Sequence, residues 1–186
     1  MFSPSPDTPA YYLTSVTKDR LPVFRRDELK AVACQALNEA RTSCRFLIFA
    51  YVIMLDHLHV ITDSEIKARV IFRFINGIIS RRVIDFLKQG NYSASLQKLR
   101  RQEDRRRHKY SLWDHHPNAR VLTSEEMLMQ RVHYTHQNPV RAGLVEKAEE
   151  YEYSSARIWS GMRQENEPLL VNIEKIRWSK KRRSEA

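Results

Sequence analysis

The chain has 186 residues, with 32 Lys plus Arg against 22 Asp plus Glu and a net charge of +10 at pH 7. That length suits one domain with a real core, and the charge points to a polyanion, nucleic acid first, although a generally solvated basic surface carries such charge too. The two cysteines, Cys34 and Cys44, have no metal-type spacing and imply no disulfide framework; no apolar run reaches membrane-spanning length and Met1 to Ala10 has no signal-peptide core, so a soluble, cytoplasmic protein is expected, nucleoid-associated when bound to DNA.

Residues 1–9, with three prolines, read as a disordered N-terminus. Tyr11 to Thr17 is a β-type run, and Lys18 to Pro22 turns the chain. Asp27 is the expected cap of a helix reaching about Thr42, with Leu29, Val32, Ala33, Ala36, Leu37 and Ala40 at helical spacing. Phe46 to Met54 reads as a long apolar strand. His57 to Thr62 is its antiparallel neighbour after a tight turn at Leu55-Asp56. Asp63-Ser64 offers a cap for a helix from Glu65 to about Lys88, striped by Ile66, Val70, Phe74, Ile75, Ile78, Ile79 and Val83.

Residues 90–110 change character. Lys98, Arg100, Arg101, Arg105, Arg106, Arg107, His108 and Lys109 lie close together, which reads as a phosphate-gripping arm or as a solvated excursion. Tyr92 and Tyr110 flank it as base-stacking or core aromatics. Arg120 to Leu122 is a short strand. Thr123-Ser124-Glu125-Glu126 reads as a capping box with Thr123 as N-cap, and its helix should end near Asn138, because Pro139 disfavours helix in the residue before it. Gly143 permits a positive-φ turn. Residues 151–161 pack back on the domain. The tail carries Arg177, Lys180, Lys181, Arg182 and Arg183 as a basic arm, mobile without DNA. Domain bounds follow: 1–9, a catalytic domain over 10–162, and a tail over 163–186. The order of strands and helices suits an α+β fold, a ferredoxin-like antiparallel sheet with helices packed mainly on one face.

Two stretches carry chemistry. In Met54-Leu55-Asp56-His57-Leu58-His59 the strand alternation sends both imidazoles to one face and Leu58 to the other. Such a pair suits a divalent metal, and two surface histidines at a strand end are the alternative. In Tyr134-Thr135-His136-Gln137-Asn138-Pro139 the Tyr134 and Asn138 side chains share a helix face, one turn apart. Together these give two imidazoles, an amide oxygen and a phenol, a metal site beside a nucleophilic tyrosine. His133 and His136 read as helix-surface histidines. Asp114 or His116 is a candidate to support a metal ligand, and Arg141 is a phosphate contact or a helix cap.

Met54-Leu55-Asp56-His57-Leu58-His59 resembles the His-hydrophobic-His motif of the HUH single-strand DNA transposases and nucleases. Tyr134 through Val145 resembles the block of one branch, the REP-associated tyrosine transposases, and the likeness spans most of residues 11–160. The resemblance implies His57, His59 and Asn138 as ligands of Mg²⁺ or Mn²⁺, and Tyr134 as a nucleophile forming a 5′-phosphotyrosine. It implies a substrate of single-stranded DNA in palindromic hairpins, and a monomer or homodimer. Arg100, Arg101, Arg105, Arg106, Arg107, Arg141, Lys180, Lys181, Arg182 and Arg183 are candidate DNA contacts from charge alone. The family often has proline where this chain has Leu55, which alters the turn before His57 and removes no ligand. A catalytically silent hairpin-binding regulator is the competing reading.

Overall fold

The structure is a computed structural model, and it describes residues 1–101, 109–114 and 118–179. Four strands, β1 (Ala10–Val16), β2 (Ile48–Ile53), β3 (His57–Thr62) and β4 (Asn118–Leu122), form one antiparallel sheet in the order β2-β3-β1-β4. With α1 (Asp27–Cys44) between β1 and β2, and α2 (Ala68–Gln89) between β3 and β4, this is the expected ferredoxin-like α+β layout. α3 (Ser93–Leu99), α4 (Glu125–Arg141) and the short α5 (Ala156–Trp159) complete it.

The two sheet faces bury different things. Leu13, Leu58 and Val60 join Leu37 of α1 and Ile75 and Ile79 of α2 in the larger core. α1 and α2 pack against each other over this face. Across the sheet, Ala10, Tyr12 and Ile61 pack with Leu128 and Val132 of α4. Two long helices thus cover one face, and α4, which carries Tyr134, crosses the other.

Several local expectations are corrected. α1 begins at Asp27 with Arg26 as its cap residue, and Asp27 instead accepts from Lys30 Nζ at 2.6 Å. α2 starts three residues later than expected, at Ala68, because Asp63 is buried at the end of β3 and caps nothing there. Its buried face is Ile71, Phe72, Ile75, Ile79, Val83, Ile84 and Leu87. α4 is capped by Ser124, whose hydroxyl accepts from the Met127 N–H at 3.2 Å, while Thr123 turns to the Met127 sulfur.

α4 also runs through Pro139 to Arg141 instead of stopping at Asn138. Proline lacks the N–H that would reach the carbonyl four residues back. The Asn138 side chain compensates: its Nδ2 donates to the carbonyls of Tyr134 at 2.7 Å and Thr135 at 3.3 Å. The chain then turns at Gly143, φ +67°, as expected. Phe2, in the segment expected to be disordered, exchanges backbone bonds with Lys175 and Arg177 at 2.7 Å each, and its ring lies 4.7 Å from Phe49. Residues 151–161 do pack back: Tyr151 Oη donates to Ile53 O at 2.7 Å and Trp159 Nε1 to Phe49 O at 2.9 Å. No helix among the described residues is long and apolar enough to cross a membrane.

Candidate active site

His57 and His59 leave β3 on the α4 side, with ring centroids 4.9 Å apart. The turn before them is pinned without a proline. The Leu55 carbonyl accepts from Phe24 N–H at 2.9 Å, the Asp56 carbonyl from Thr17 N–H at 2.8 Å, and the His57 carbonyl from Met54 N–H at 2.8 Å. α4 brings Tyr134 over the pair, its ring 6.0 Å from that of His59. Sequence positions 57, 59 and 134 therefore converge on one face of the sheet. Asn138 lies one turn further along α4, half-buried.

Each histidine is oriented through its Nδ1. The Asp56 carboxylate holds His57 Nδ1 at 2.6 Å. Arg20 Nη1 in turn donates to the other Asp56 oxygen at 3.0 Å, from a turn in which Asp19 and Arg20 both take positive φ, 52° and 50°. Burial works to raise the Asp56 pKa, but the bonds and charges of His57 and Arg20 outweigh it and hold the carboxyl below its ordinary value. His59 Nδ1 meets Tyr12 Oη and Thr14 Oγ1, each at 2.8 Å. With the proton on Nδ1, both rings keep the Nε2 lone pair open. Burial, helped by the charges of His57 and Arg131, pushes His59 down to about 3, so it is neutral at physiological pH. A neutral imidazole is the form that binds a metal.

The third candidate donor follows from the helix. With Nδ2 of Asn138 bound to the α4 carbonyls, its Oδ1 is the side-chain atom those bonds leave uncommitted. Two imidazole nitrogens and an amide oxygen fit a divalent cation of borderline to hard character. Among the described residues no group of three or more His, Cys, Asp or Glu is placed to hold a metal ion.

Two guanidiniums frame the phenol. Arg141 sits 4.9 Å from the Tyr134 ring centre, and Arg131 sits 5.6 Å from it and 5.5 Å from that of Tyr12. Arg141 was legible in the sequence. Arg131, three residues before Tyr134 and so on its helix face, was legible by spacing but went unread. Asp56, Tyr12 and Thr14 were also missed. Asp56 adjoins His57, and the alternation of β1 puts Tyr12 and Thr14 on one face. The Tyr12 pKa is pushed up to about 12, by burial first, so this hydroxyl stays protonated.

Other candidates fall elsewhere. His136, expected on the helix surface, is buried and hydrogen-bonds Ser155 Oγ through Nε2 at 2.8 Å. Burial pushes it down to about 4. Arg100 and Arg101 belong to a separate neighbourhood, where Arg100 bridges Tyr110 and Arg101 donates to Ser111 Oγ at 3.4 Å. Tyr92 packs on Phe86 and receives Arg26. Arg105, Arg106, Arg107, His108, His115, His116, Lys180, Lys181, Arg182 and Arg183 lie outside the described residues.

Among solved structures, the chain is similar in fold to a REP-associated tyrosine transposase bound to a REP hairpin. The match has a TM-score of 0.59 at 14% identity, covering 89% of this chain and 87% of that one. The chain has the fold of that tyrosine transposase. A second structure, of a protein from Deinococcus radiodurans R1 provisionally described as a transposase, matches with a TM-score of 0.44 at 20% identity, over 67% of this chain and 86% of that one. No protein-family model and no curated protein matches the chain. In the transposase fold seen here, β3 and α4 carry the whole candidate set of His57, His59, Tyr134 and Asn138.

Proposed function

We propose that the protein cuts and rejoins single-stranded, hairpin-forming DNA through Tyr134, as a metal-dependent tyrosine transposase acting on REP-like palindromes. The observation that supports this most is the docking of the Tyr134 ring over a histidine pair whose two Nδ1 atoms are both engaged. An aromatic serving only the core would need neither the paired imidazoles nor their oriented open nitrogens.

In this reading His57 Nε2, His59 Nε2 and Asn138 Oδ1 would hold one Mg²⁺ or Mn²⁺, which would supply Lewis-acid polarisation of the scissile phosphate and screen its charge. Asp56, Tyr12 and Thr14 hold the two rings through Nδ1, which leaves both Nε2 atoms for that role. Tyr134 supplies the nucleophile. Its phenol oxygen bonds to phosphorus as the P–O3′ bond breaks. The phenol proton leaves to solvent, and the departing 3′ oxygen takes up a proton. The products are a 5′-phosphotyrosine and a free 3′-OH. The phosphodiester energy is retained in the new ester, so a 3′-OH can reverse the step and join strands. Arg131 and Arg141 place positive charge beside the phenol, where they would meet the phosphate.

The test incubates the protein with labelled single-stranded hairpin DNA from the flanks of its own gene, with Mn²⁺ or with EDTA. A denaturing gel should show a metal-dependent covalent adduct, lost in Tyr134→Phe while hairpin binding stays. Tight binding with no adduct on any flanking hairpin would sink this reading and leave the silent hairpin-binding regulator.

A further inference from the structure

A groove of about 870 Å³ lies between α2 and residues 109–114, on the sheet face away from Tyr134. Arg81 and Lys88 of α2 line it on one side, and Arg101 and Lys109 on the other. Asp85 and Asp114 also face it, so the lining carries four cations against two anions. Glu39 engages Arg81 at 2.9 Å, and Lys88 and Lys109 both stand 5.7 Å from the Tyr110 ring. Arg101 Nε has no hydrogen-bond partner among the described residues.

The floor is bare helix. Gly77 is exposed, and a Cβ placed on it would meet nothing within 4 Å. A glycine inside a long helix weakens it by about 1 kcal/mol relative to alanine. Here it leaves the α2 backbone open to whatever fills the groove.

The groove ends near the candidate active site. The Asp114 N–H donates to the Val16 carbonyl at 2.9 Å, and Val16 is the register partner of His57. Adjacent strands lie about 4.8 Å apart, so roughly 10 Å of backbone separates the groove mouth from His57. A strand leaving the groove passes over that end of the sheet.

We infer that this groove holds the phosphodiester backbone of a single-stranded DNA segment next to the bond that is cut. The cations supply sequence-independent grip. The substrate proposed above is single-stranded beside the bond that is cut, so the segment in the groove is a single strand. This inference rests on the DNA-cleaving reading for the role of the segment, but the binding itself is measured without cleavage.

The test uses the full chain and fluorescein-labelled dT20, with a blunt 20-base-pair duplex as the comparison. Gly77→Leu fills the floor without touching a charge and improves helix propensity. It should weaken dT20 binding at least tenfold with an equal or higher thermal midpoint. The double variant Lys88→Gln/Lys109→Gln should weaken binding and lower the salt slope by about 1.4, from roughly 0.7 per phosphate contact on a single strand. Wild-type affinity in either variant, or no binding of dT20 by the wild type, overturns the inference. Equal weakening on the duplex overturns its commitment to a single strand. Loss of dT20 binding in a protein that forms no adduct keeps the groove and removes the cleavage reading, and an adduct formed by groove variants with unchanged binding does the reverse.

Discussion

The two faces of β3 use neighbouring residues for opposite ends. Leu58 is sealed into the core under α1 and α2, while His57 and His59, one position either side, face α4 and carry hydrogen bonds. The first face is held by apolar area, which is non-directional and tolerates rearrangement. The second is held by distances and angles: two rings fixed through Nδ1, a phenol above them, and an amide turned by its bonds to the helix. One strand thus separates stability from chemistry by its pleat alone.

Substitution of adjacent residues puts that separation at risk most directly. Leu58→Ala should cost about 3 kcal/mol of unfolding free energy by denaturant titration, as a buried leucine truncation does. His57→Ala, at a side chain 20% exposed, should cost within about 1 kcal/mol, while abolishing the tyrosine adduct. Similar unfolding costs for the two would show that the faces are not separable.

Asp63 extends the comparison to the far end of β3. Its carboxylate is buried, and neither oxygen closes a hydrogen bond among the described residues. Burial raises its pKa to about 6. The nearby Leu47 N–H opposes the rise, and Glu65 adds to it. A folded pKa above the unfolded value means the group's stabilising effect is full below about pH 4 and is lost as pH rises through 6. Asp63→Asn should therefore stabilise the protein at pH 7.5 by on the order of 2 kcal/mol and flatten its stability between pH 4 and 6, read by chemical denaturation. A destabilised variant with an unchanged pH profile would show that the carboxylate has a partner.

The smallest expected effect is at Thr14. Thr14→Val removes one of the two hydroxyls on His59 and should weaken Mn²⁺ binding about tenfold by calorimetry, with an unchanged fold. Unaltered affinity would mean that Tyr12 orients the ring alone.

Periodic patterns made the scaffold readable. β3 has the bounds expected from alternation, and the order of strands and helices sufficed for the sheet layout. Failures came where a local preference met a tertiary demand. Pro139 argued for a helix end, but a side-chain amide replaced the missing donor, and that exchange involves a single neighbour no period reveals. Asp63 looked like a cap and is buried instead. At the candidate site the chemistry-bearing residues were legible as types, whereas Tyr12, Thr14 and Arg131 owe their place to strand pairing and helix docking.

The strand order has a consequence for how this protein comes off the ribosome. β2 and β3 are a hairpin and meet early, but β1, the first strand made, occupies an inner position and pairs Ala10 with Leu122. Contacts that distant in sequence form slowly and late. The imidazole pair, Tyr12 and Tyr134 come together only when β1, β3 and α4 have all emerged. A nascent or truncated chain therefore has no assembled candidate site until synthesis has passed α4.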